Sequence, residues 1–194
     1  MAKRLVLVID QERCIGCETC TVACNLENSP AAGPWIRVET RDARIKDTPV
    51  GRYPELRMEF LPRLCMHCAY PPCVDVCPTG ALVKRDDGPV ILDEERCDAC
   101  MACQDACPYD AILFNDHKGA IEKCHLCRHR IDQGLDPFCA VCCEGQAIHF
   151  GDLEDPNSKV SQLIRDREAF QLRPELGTDP SVYYCPPLKR RRLI

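Results

Sequence analysis

Residues 97–108 read CDACMACQDACP, and the spacing of the cysteines in this stretch decides the fold. The four thiols follow the pattern C-x2-C-x2-C-x3-C and precede a proline, which is the bacterial spacing for a cubane iron–sulfur cluster. The first three cysteines occupy three corners of the cube, and the fourth serves the other cluster of a pair. The stretch therefore predicts a ferredoxin-like fold in which two bound clusters are neighbours.

The same arrangement of cysteines occurs four times along the chain. The first and third groups have identical spacing, the second group has a longer middle gap, and the fourth has the longest. Sixteen of the 18 cysteines belong to these groups, which predicts four [4Fe-4S] clusters arranged as two pairs. The groups are Cys14, Cys17, Cys20 and Cys24; Cys65, Cys68, Cys73 and Cys77; Cys97, Cys100, Cys103 and Cys107; and Cys124, Cys127, Cys139 and Cys143.

Two other uses of so many cysteines are disfavoured by their spacing. Disulfides need Cα atoms about 4.4 to 6.8 Å apart, so closely spaced cysteines would have to pair mostly with distant groups. Structural zinc takes two ligands from each of two separated C-x2-C pairs, which leaves the third thiol of a C-x2-C-x2-C run without a role. A zinc-stabilised interaction module is the distant alternative. Without its cysteines the chain is about 36% hydrophobic, so bound metal is expected to organise the interior.

An internal repeat selects the last ligand of the fourth group, where Cys142 and Cys143 are adjacent. After the closing cysteines of groups two and three, an alanine follows at four residues and an aspartate at nine. Counted from Cys143, the same positions hold Ala147 and Asp152, so Cys143 is the predicted ligand. Cys142 is then expected to be a small buried hydrophobe, with an alternative ligand role left open. Cys185 also lies outside the groups.

The segments around the cysteine groups predict an α+β fold with two nested ferredoxin-like 2x[4Fe-4S] modules. Each unit is a short strand, a cysteine loop, a short helix and a second strand, and Asp87-Gly88 indicates a hairpin. Groups one and four bracket groups two and three, so one module lies inside the other. The predicted segments are 1–24 with 118–157 for module A, 25–64 for an inserted small β-sheet, 65–117 for module B, and 158–194 for a C-terminal helix and an extended partner-binding arm.

Finer expectations concern the insertion and the C-terminal segment. Strands are expected at residues 35–40 and near residues 56–60, since both are apolar and lie between turn residues. Ser158 is expected to cap a helix that runs to about residue 170. Beyond it, residues 171–194 are rich in proline and charge, which predicts an arm lying on another protein or in solvent.

Charge and apolar runs exclude several function classes. The net charge of −5 and the pI near 5.6 leave no basic stripe, so nucleic acid is not an expected partner, and the basic run 189–192 is expected to be a solvated tail. No apolar run approaches about 18 residues, and the run 5–9 stops at Asp10, so neither a direct membrane span nor an export signal is expected. The expected location is the cytoplasm by default, or the periplasmic membrane surface if the chain is exported with a partner.

The four-group pattern resembles the iron–sulfur electron-transfer subunits of molybdopterin oxidoreductases of the dimethyl sulfoxide reductase family, nearest in style to polysulfide, thiosulfate and dimethyl sulfoxide reductases. The resemblance spans about residues 5–184, and because group three is complete it implies four cubane clusters. Besides the cysteines it rests on Trp35-Ile36-Arg37, Tyr53-Pro54-Glu55-Leu56, Cys127-Arg128-His129-Arg130, Gly151-Asp152-Leu153-Glu154-Asp155-Pro156 and Arg173-Pro174-Glu175.

This resemblance implies that group one shares ligands with group four, and group two with group three. No catalytic residue is implied. The resulting ligand sets, numbered 1 to 4 for the clusters they would hold, are set 1, Cys14, Cys17, Cys20 and Cys143; set 2, Cys24, Cys124, Cys127 and Cys139; set 3, Cys65, Cys68, Cys73 and Cys107; and set 4, Cys77, Cys97, Cys100 and Cys103.

The resemblance also implies an electron-transfer subunit of an anaerobic respiratory complex, with no catalysis of its own. Such a subunit relays electrons between a molybdopterin-containing catalytic subunit and either an integral membrane quinone-reactive subunit or a soluble redox partner. The same relay in a hydrogenase or formate dehydrogenase complex, or in a free polyferredoxin, is the alternative. An independent enzyme is disfavoured, since the sequence has no glycine-rich nucleotide loop of either standard form.

Charged residues and histidines beside the cysteine groups are candidates for tuning the clusters. Arg13, Arg96 and Lys123 each precede the first cysteine of a group, where positive charge would favour a reduced cluster, and solvated side chains are the alternative. His67 and His125 lie inside C-x2-C gaps and are candidate donors to cluster sulfur, with exposed loop histidines as the alternative.

Overall fold

The computed structural model describes residues 3–188 as a mixture of short helices and strands. The helix and strand content confirms the α+β class. The strands are β1 (Leu5–Asp10), β2 (Ile36–Thr40), β3 (Phe60–Leu64), β4 (Leu82–Lys84), β5 (Val90–Leu92), β6 (Ile112–Asn115), β7 (Ala120–Lys123), β8 (Ile148–Asp152), β9 (Phe170–Gln171) and β10 (Val182–Cys185). The α-helices are α1 (Thr19–Asn28), α2 (Pro72–Asp75), α3 (Ala102–Ala106), α4 (Arg128–Ile131), α5 (Phe138–Val141) and α6 (Lys159–Asp166).

A four-stranded sheet in the order β8-β1-β10-β9 forms the largest sheet of the described chain. All six residues of β1 are buried because both faces of the strand are covered. Leu5, Leu7 and Ile9 pack into the main core, which also contains several cysteines of the four groups. Successive side chains of a strand point to opposite faces, so the intervening valines pack instead around Val160 of α6.

Strand β10 corrects the expectation of a C-terminal arm. The sequence predicts an arm over residues 171–194, but β9 and β10 belong to the sheet, and Val182 pairs with Leu7 of β1 in parallel. Tyr184 is fully buried, and its hydroxyl donates a hydrogen bond to the backbone oxygen of Pro62 at 2.8 Å. The arm prediction is wrong for residues 171–188 because apolar β-formers outweigh the surrounding prolines. Residues 189–194, including the basic run, lie outside the described residues.

Helix α6 begins where the sequence predicts and ends earlier. Ser158 caps it, since its hydroxyl oxygen accepts a hydrogen bond from the backbone N–H of Ser161 at 3.2 Å. The helix ends at Asp166 rather than near residue 170, because Glu168 has a φ of 48° and turns the chain into β9. Phe170 therefore packs from the sheet rather than from the helix.

The insertion contains a small two-stranded sheet, as the sequence predicts, but its second strand is displaced. Strand β2 agrees closely with the strand expected at residues 35–40, whereas β3 lies about four residues beyond the one expected near 56–60. Residues 41–59 form a largely exposed loop instead, with one isolated bridge between Val50 and Arg57. The displacement places Leu64, at the end of β3, next to the first cysteine of group two.

Two further hairpins follow groups two and three. Strands β4 and β5 flank Asp87-Gly88, which confirms the predicted hairpin, and β6 pairs with β7. The expected boundary between residues 117 and 118 falls inside the turn of the β6–β7 hairpin, and the boundary between 24 and 25 falls inside α1. At these two points the chain continues through one element. No helix within residues 3–188 is long and apolar enough to cross a bilayer.

Candidate metal centres

Each cysteine group opens with a left-handed turn at the same position. The second residue between the first two cysteines has φ values of 72° at Gly16, 44° at His67, 60° at Ala99 and 58° at Leu126. Glycine adopts this conformation readily, whereas at other residues it costs about 1–3 kcal/mol and persists mainly where a functional loop requires it. The same turn therefore gathers thiols four times, and the sequence indicates it only at Gly16.

The thiols of set 1 lie together at one end of α1. Burial, with repulsion from Cys143 and Cys17, raises the pKa of Cys14. Burial, with repulsion from Cys14 and Cys143, raises the pKa of Cys20 to about 11. Cys143 rather than Cys142 is thus the thiol that lies beside the first group.

The thiols of set 2 line one cavity. Burial and repulsion from Cys127 raise the pKa of Cys24 to about 11. Burial also raises the pKa of Cys139 far above its usual range, with further repulsion from Cys127 and Cys24. The cavity is small, and Cys124 is the fourth thiol that lines it.

Sets 3 and 4 are gathered in the same way. Burial, then repulsion from Cys65, raises the pKa of Cys73 to about 12, and Cys107 and Cys68 add to it. Burial raises the pKa of Cys103 to about 11, with further repulsion from the other three thiols of its set. A small cavity is lined by all four thiols of set 4, which are Cys77, Cys97, Cys100 and Cys103.

The donor set and its geometry fit a polynuclear iron–sulfur group. All 18 cysteines are free. Buried thiols with raised pKa values need a strong positive charge to ionise, and a coordinated metal supplies it. Within residues 3–188 no three His, Cys, Asp or Glu side chains are placed to share a single metal ion. A zinc ion takes its four ligands from two separated C-x2-C pairs, whereas each of these sets draws three thiols from one group and the fourth from another.

Thiols of different sets also lie near one another. Cys139 of set 2 is repelled by Cys20 of set 1. Cys124 of set 2 is repelled by Cys65 of set 3. Helices α2 and α3, which carry thiols of sets 3 and 4, pack against each other. The four sets therefore follow one another in a row from set 1 to set 4.

Two arginines link loops that are far apart in sequence. Arg13 donates to the backbone oxygen of Gly145 at 3.0 Å and to the side-chain oxygen of Gln146 at 2.9 Å. Arg96 donates to the backbone oxygen of Thr79 at 2.8 Å. The first arginine joins group one to the loop after group four, and the second joins group three to the loop after group two. Neither contact is visible from the sequence, where both residues are candidates for charge tuning alone.

Gly145 offers a test of this loop contact. A Cβ at Gly145 would lie 2.3 Å from the backbone oxygen of Arg13, so Gly145→Ala must displace backbone. We expect it to lower the free energy of unfolding by about 1–3 kcal/mol, measured as a lower urea midpoint in the holoprotein. Gly134 is the control because a Cβ there meets nothing within 4 Å, although its φ of 75° adds a cost of its own. Equal urea midpoints for Gly145→Ala and Gly134→Ala would contradict the close contact between Gly145 and the backbone oxygen of Arg13.

A half-buried lysine, a buried lysine and a buried histidine lie beside cysteine groups two and four. The Lys84 ammonium donates to the backbone oxygens of His67 at 3.0 Å and Cys68 at 2.7 Å. Lys123 is 3% exposed and donates to the backbone oxygens of Val90 and Cys124. Solvation is therefore the wrong interpretation for Lys123. Sequence reasoning missed Lys84, because a lysine in a short hairpin is usually exposed.

The two candidate histidines differ from the exposed loop residues considered as an alternative. His67 is 1% exposed, and its Nδ1 accepts a hydrogen bond from the backbone N–H of Val90 at 3.0 Å. Burial, then repulsion from Lys123 and Lys84, holds the pKa of His67 well below its usual range. Burial and the charge of Lys123 also lower the pKa of His125 to about 4. Both rings are neutral near pH 7.

The two cysteines outside the sets have different surroundings. Cys185 is fully buried beside α6, in the cluster that includes Val6 and Val8. Cys142 is half-buried and borders a wide surface groove with Cys143 and Glu144. The expectation that Cys142 is a buried hydrophobe is therefore wrong, because α5 presents it at its exposed C-terminal end.

Comparison with known families identifies the type of domain that carries these thiols. Two family models, both described as a 4Fe-4S dicluster domain, match residues 13–81 and 56–153. Together they establish tandem dicluster ferredoxin-like domains that bind 4Fe-4S clusters. The chain belongs to the iron–sulfur subunits of the molybdopterin oxidoreductases. This assignment confirms the predicted resemblance and decides against the zinc-stabilised module.

Relatives of this iron–sulfur subunit are found in several respiratory complexes. A Halobacterium salinarum protein assigned as a dimethyl sulfoxide reductase iron–sulfur subunit is 45% identical over 92% of this chain and 77% of its own length. A subunit of the tetrathionate reductase of Salmonella typhimurium is 41% identical over 93% of this chain and 72% of its own. The arsenate respiratory reductase iron–sulfur subunit of a Shewanella species is 35% identical over 93% and 95%. The chain is accordingly a non-catalytic electron-transfer subunit, as predicted.

Proposed function

We propose that this subunit holds four [4Fe-4S] clusters, each on one of the four ligand sets. Support comes from the thiol neighbours and from the two cavities, each lined by all four thiols of one set. Cluster 1 is held by Cys14, Cys17, Cys20 and Cys143; cluster 2 by Cys24, Cys124, Cys127 and Cys139; cluster 3 by Cys65, Cys68, Cys73 and Cys107; and cluster 4 by Cys77, Cys97, Cys100 and Cys103.

The proposed architecture is two nested modules. Module A (1–24 with 118–157) is supported by the pairing of β1 with β8 and by the hydrogen bond from Arg13 to Gly145. Module B (65–117) is supported by the corresponding bond from Arg96. The insertion (25–64) and the C-terminal segment (158–194) complete the division, with α1 and the β6–β7 hairpin continuing across two of its boundaries.

The bound clusters would supply one-electron exchange, and the chain sets their order and surroundings. The observation that carries this proposal is the proximity of Cys124 and Cys65, whose charges interact, since it would join the two pairs into one row. Buried side chains around Leu126 and Tyr109 keep water away from the inner thiols. Of the 18 cysteines, all of which lie in the described chain, only Cys17 of set 1 and Cys100 of set 4 are exposed.

Exposed thiols at both ends of the row suit two different redox partners. We place a molybdopterin-containing catalytic subunit at one end, because the relatives are named as subunits of reductases. The other end would meet an integral membrane quinone-reactive subunit or a soluble redox protein. Hydrophobic side chains next to the exposed thiols, such as Ile15 and Met101, would lie at these contacts.

Anaerobic purification with a tag on this chain tests the proposal. We expect a brown protein with about sixteen irons and sixteen acid-labile sulfides per chain, and a copurifying subunit that contains molybdenum. Dithionite should bleach the visible absorption, and the substrate of the copurified partner should restore it. Far fewer irons after reconstitution would contradict the four clusters. A fully loaded chain that copurifies as a monomer would favour a free polyferredoxin instead.

A further inference from the structure

Two side chains that carry N–H groups line the cavity of set 2. Besides the four thiols, this cavity is lined by Asn28, at the C-terminal end of α1, and by Trp35, just before β2. Neither residue belongs to a cysteine group. The sequence indicated Trp35 as part of a family motif but gave it no role.

Asn28 donates hydrogen bonds to two thiols, one from cysteine group one and one from group four. Its side-chain nitrogen lies 3.6 Å from the sulfur of Cys24 and 3.7 Å from that of Cys127. The same nitrogen donates to the backbone oxygen of Cys24 at 3.1 Å, which fixes the direction of the amide. The opposite orientation would place the amide oxygen, a pure acceptor, against two thiolates and an oxygen. Only the N–H orientation is favourable once the thiols are ionised.

Trp35 supplies a second N–H group. Its indole Nε1 is buried and has no hydrogen-bond partner among the residues that the structure describes. The ring is held by an edge contact with His125, with centroids 5.2 Å apart and planes at 74°. A buried indole N–H without a partner is rare in proteins, and the Trp35 side chain that carries this one lines the cavity between four thiols.

The cavity of set 4 differs in its side chains, although backbone N–H groups donate hydrogen bonds to the sulfur of Cys77 there. Its lining side chains, all within the described chain, are apolar apart from the thiols, the hydroxyl of Thr79 and the carboxylate of Asp98. None of them carries an N–H donor. Thr79 lies 3.7 Å from the sulfur of Cys77, and Asp98 accepts from the backbone N–H of Cys100. A carboxylate beside a cluster disfavours its reduction, whereas N–H donors favour it.

We propose that Asn28 and Trp35 raise the reduction potential of cluster 2 by providing side-chain N–H donors at its cavity. This inference rests on the proposed function. Reduction adds one electron to the cluster, donated by a neighbour in the row that loses one electron, and the protons of Asn28 and Trp35 stay on nitrogen. The added negative charge strengthens N–H···S hydrogen bonds, which stabilises the reduced form. Both residues are positioning residues for electron transfer.

The test is a redox titration of the purified complex, followed by electron paramagnetic resonance. In Asn28→Leu we expect one of the four midpoint potentials to fall. The ratio of oxidised to reduced cluster at a fixed potential should rise about tenfold, which corresponds to a fall of about 59 mV for a one-electron couple. Trp35→Phe keeps the aromatic ring, removes the N–H group and should lower the same potential. The signal that disappears in Cys127→Ser identifies cluster 2, and it should be the one that moved.

Asn25 provides the matched control, because it is an exposed asparagine on the same helix. Asn25→Leu should leave all four potentials unchanged. Full iron content with unmoved potentials in both Asn28→Leu and Trp35→Phe would overturn the inference, while leaving the proposed function intact. If Asn28→Leu loses iron, the potential of cluster 2 in Trp35→Phe decides the inference. Loss of iron in both variants would also overturn the inference, since the two residues would then serve cluster assembly. A wild-type chain without clusters would instead refute the proposed function.

Discussion

Replacing Cys143 with alanine is expected to remove one cluster, whereas replacing its neighbour Cys142 is expected to leave all four. Cys143 lies beside Cys14 and Cys20, so its loss opens one corner of the site that these thiols form. A cubane with three protein ligands is exposed to solvent and is readily lost. We expect iron to fall from about sixteen to about twelve per chain in Cys143→Ala.

The adjacent cysteine makes this comparison unusually well matched. Cys142→Ala removes the same atoms one residue earlier in the chain, from a half-buried position on the surface groove. Iron and sulfide analysis of both variants, with spin quantitation of the reduced proteins, separates the two outcomes. Equal losses would mean that the α5 turn, rather than one ligand, was damaged. Loss in Cys142→Ala alone would reassign the ligand and refute the register that the internal repeat predicts.

The metal chemistry was predictable because ligand spacing is constrained by the cluster itself. A loop with cysteines at every third residue cannot satisfy a disulfide pattern or a zinc site, so residues 97–108 already point to iron and sulfur. The choice of Cys143 over Cys142 needed the internal repeat, which places Ala147 four residues after Cys143, and the assignment of Cys143 to the cluster of group one came only from the family resemblance. The strand β1 and the hairpin at Asp87-Gly88 were also predictable, since their signals are local.

The features that the sequence did not reveal depend on tertiary contacts. Residues 182–185 form a central strand only because the edge of β1 is available to pair with them. The Lys84 ammonium donates hydrogen bonds to backbone carbonyl groups of the group-two loop. No local sequence pattern specifies these hydrogen bonds. Cys65 and Cys124 lie near each other although they are about sixty residues apart in the sequence. Their proximity places sets 2 and 3 side by side.

A buried ion pair next to the first cysteine loop gives the second large expected effect. Asp10 is 2% exposed, and its two carboxylate oxygens accept hydrogen bonds from the guanidinium of Arg167 at 2.9 and 3.3 Å. Arg167 also donates to the backbone oxygen of Pro186 at 3.0 Å. The pair thus joins the end of β1 to α6 and to the chain after β10.

Arg167→Met is expected to lower the free energy of unfolding by about 3–5 kcal/mol, because it leaves a buried carboxylate without its counter-charge. Chemical unfolding of the anaerobic holoprotein, followed by far-ultraviolet circular dichroism, measures the loss. Arg57→Met is the control, since Arg57 pairs with Asp42 at the surface and about 0–1 kcal/mol is expected there. Similar losses in the two variants would contradict the role of burial.

The double variant Asp10→Asn with Arg167→Met distinguishes a lost ion pair from lost packing. Removing both charges should recover part of the stability, since no uncompensated charge remains inside. The recovery should extend to the metal site, because the backbone oxygen of Asp10 accepts hydrogen bonds from the N–H groups of Arg13 and Cys14. We therefore expect Arg167→Met to lose the iron of cluster 1 to a chelator faster than the wild type does. The double variant should lose this iron more slowly than Arg167→Met does. Unchanged chelation rates in all three proteins would show that the ion pair stabilises the sheet without supporting the first cysteine loop.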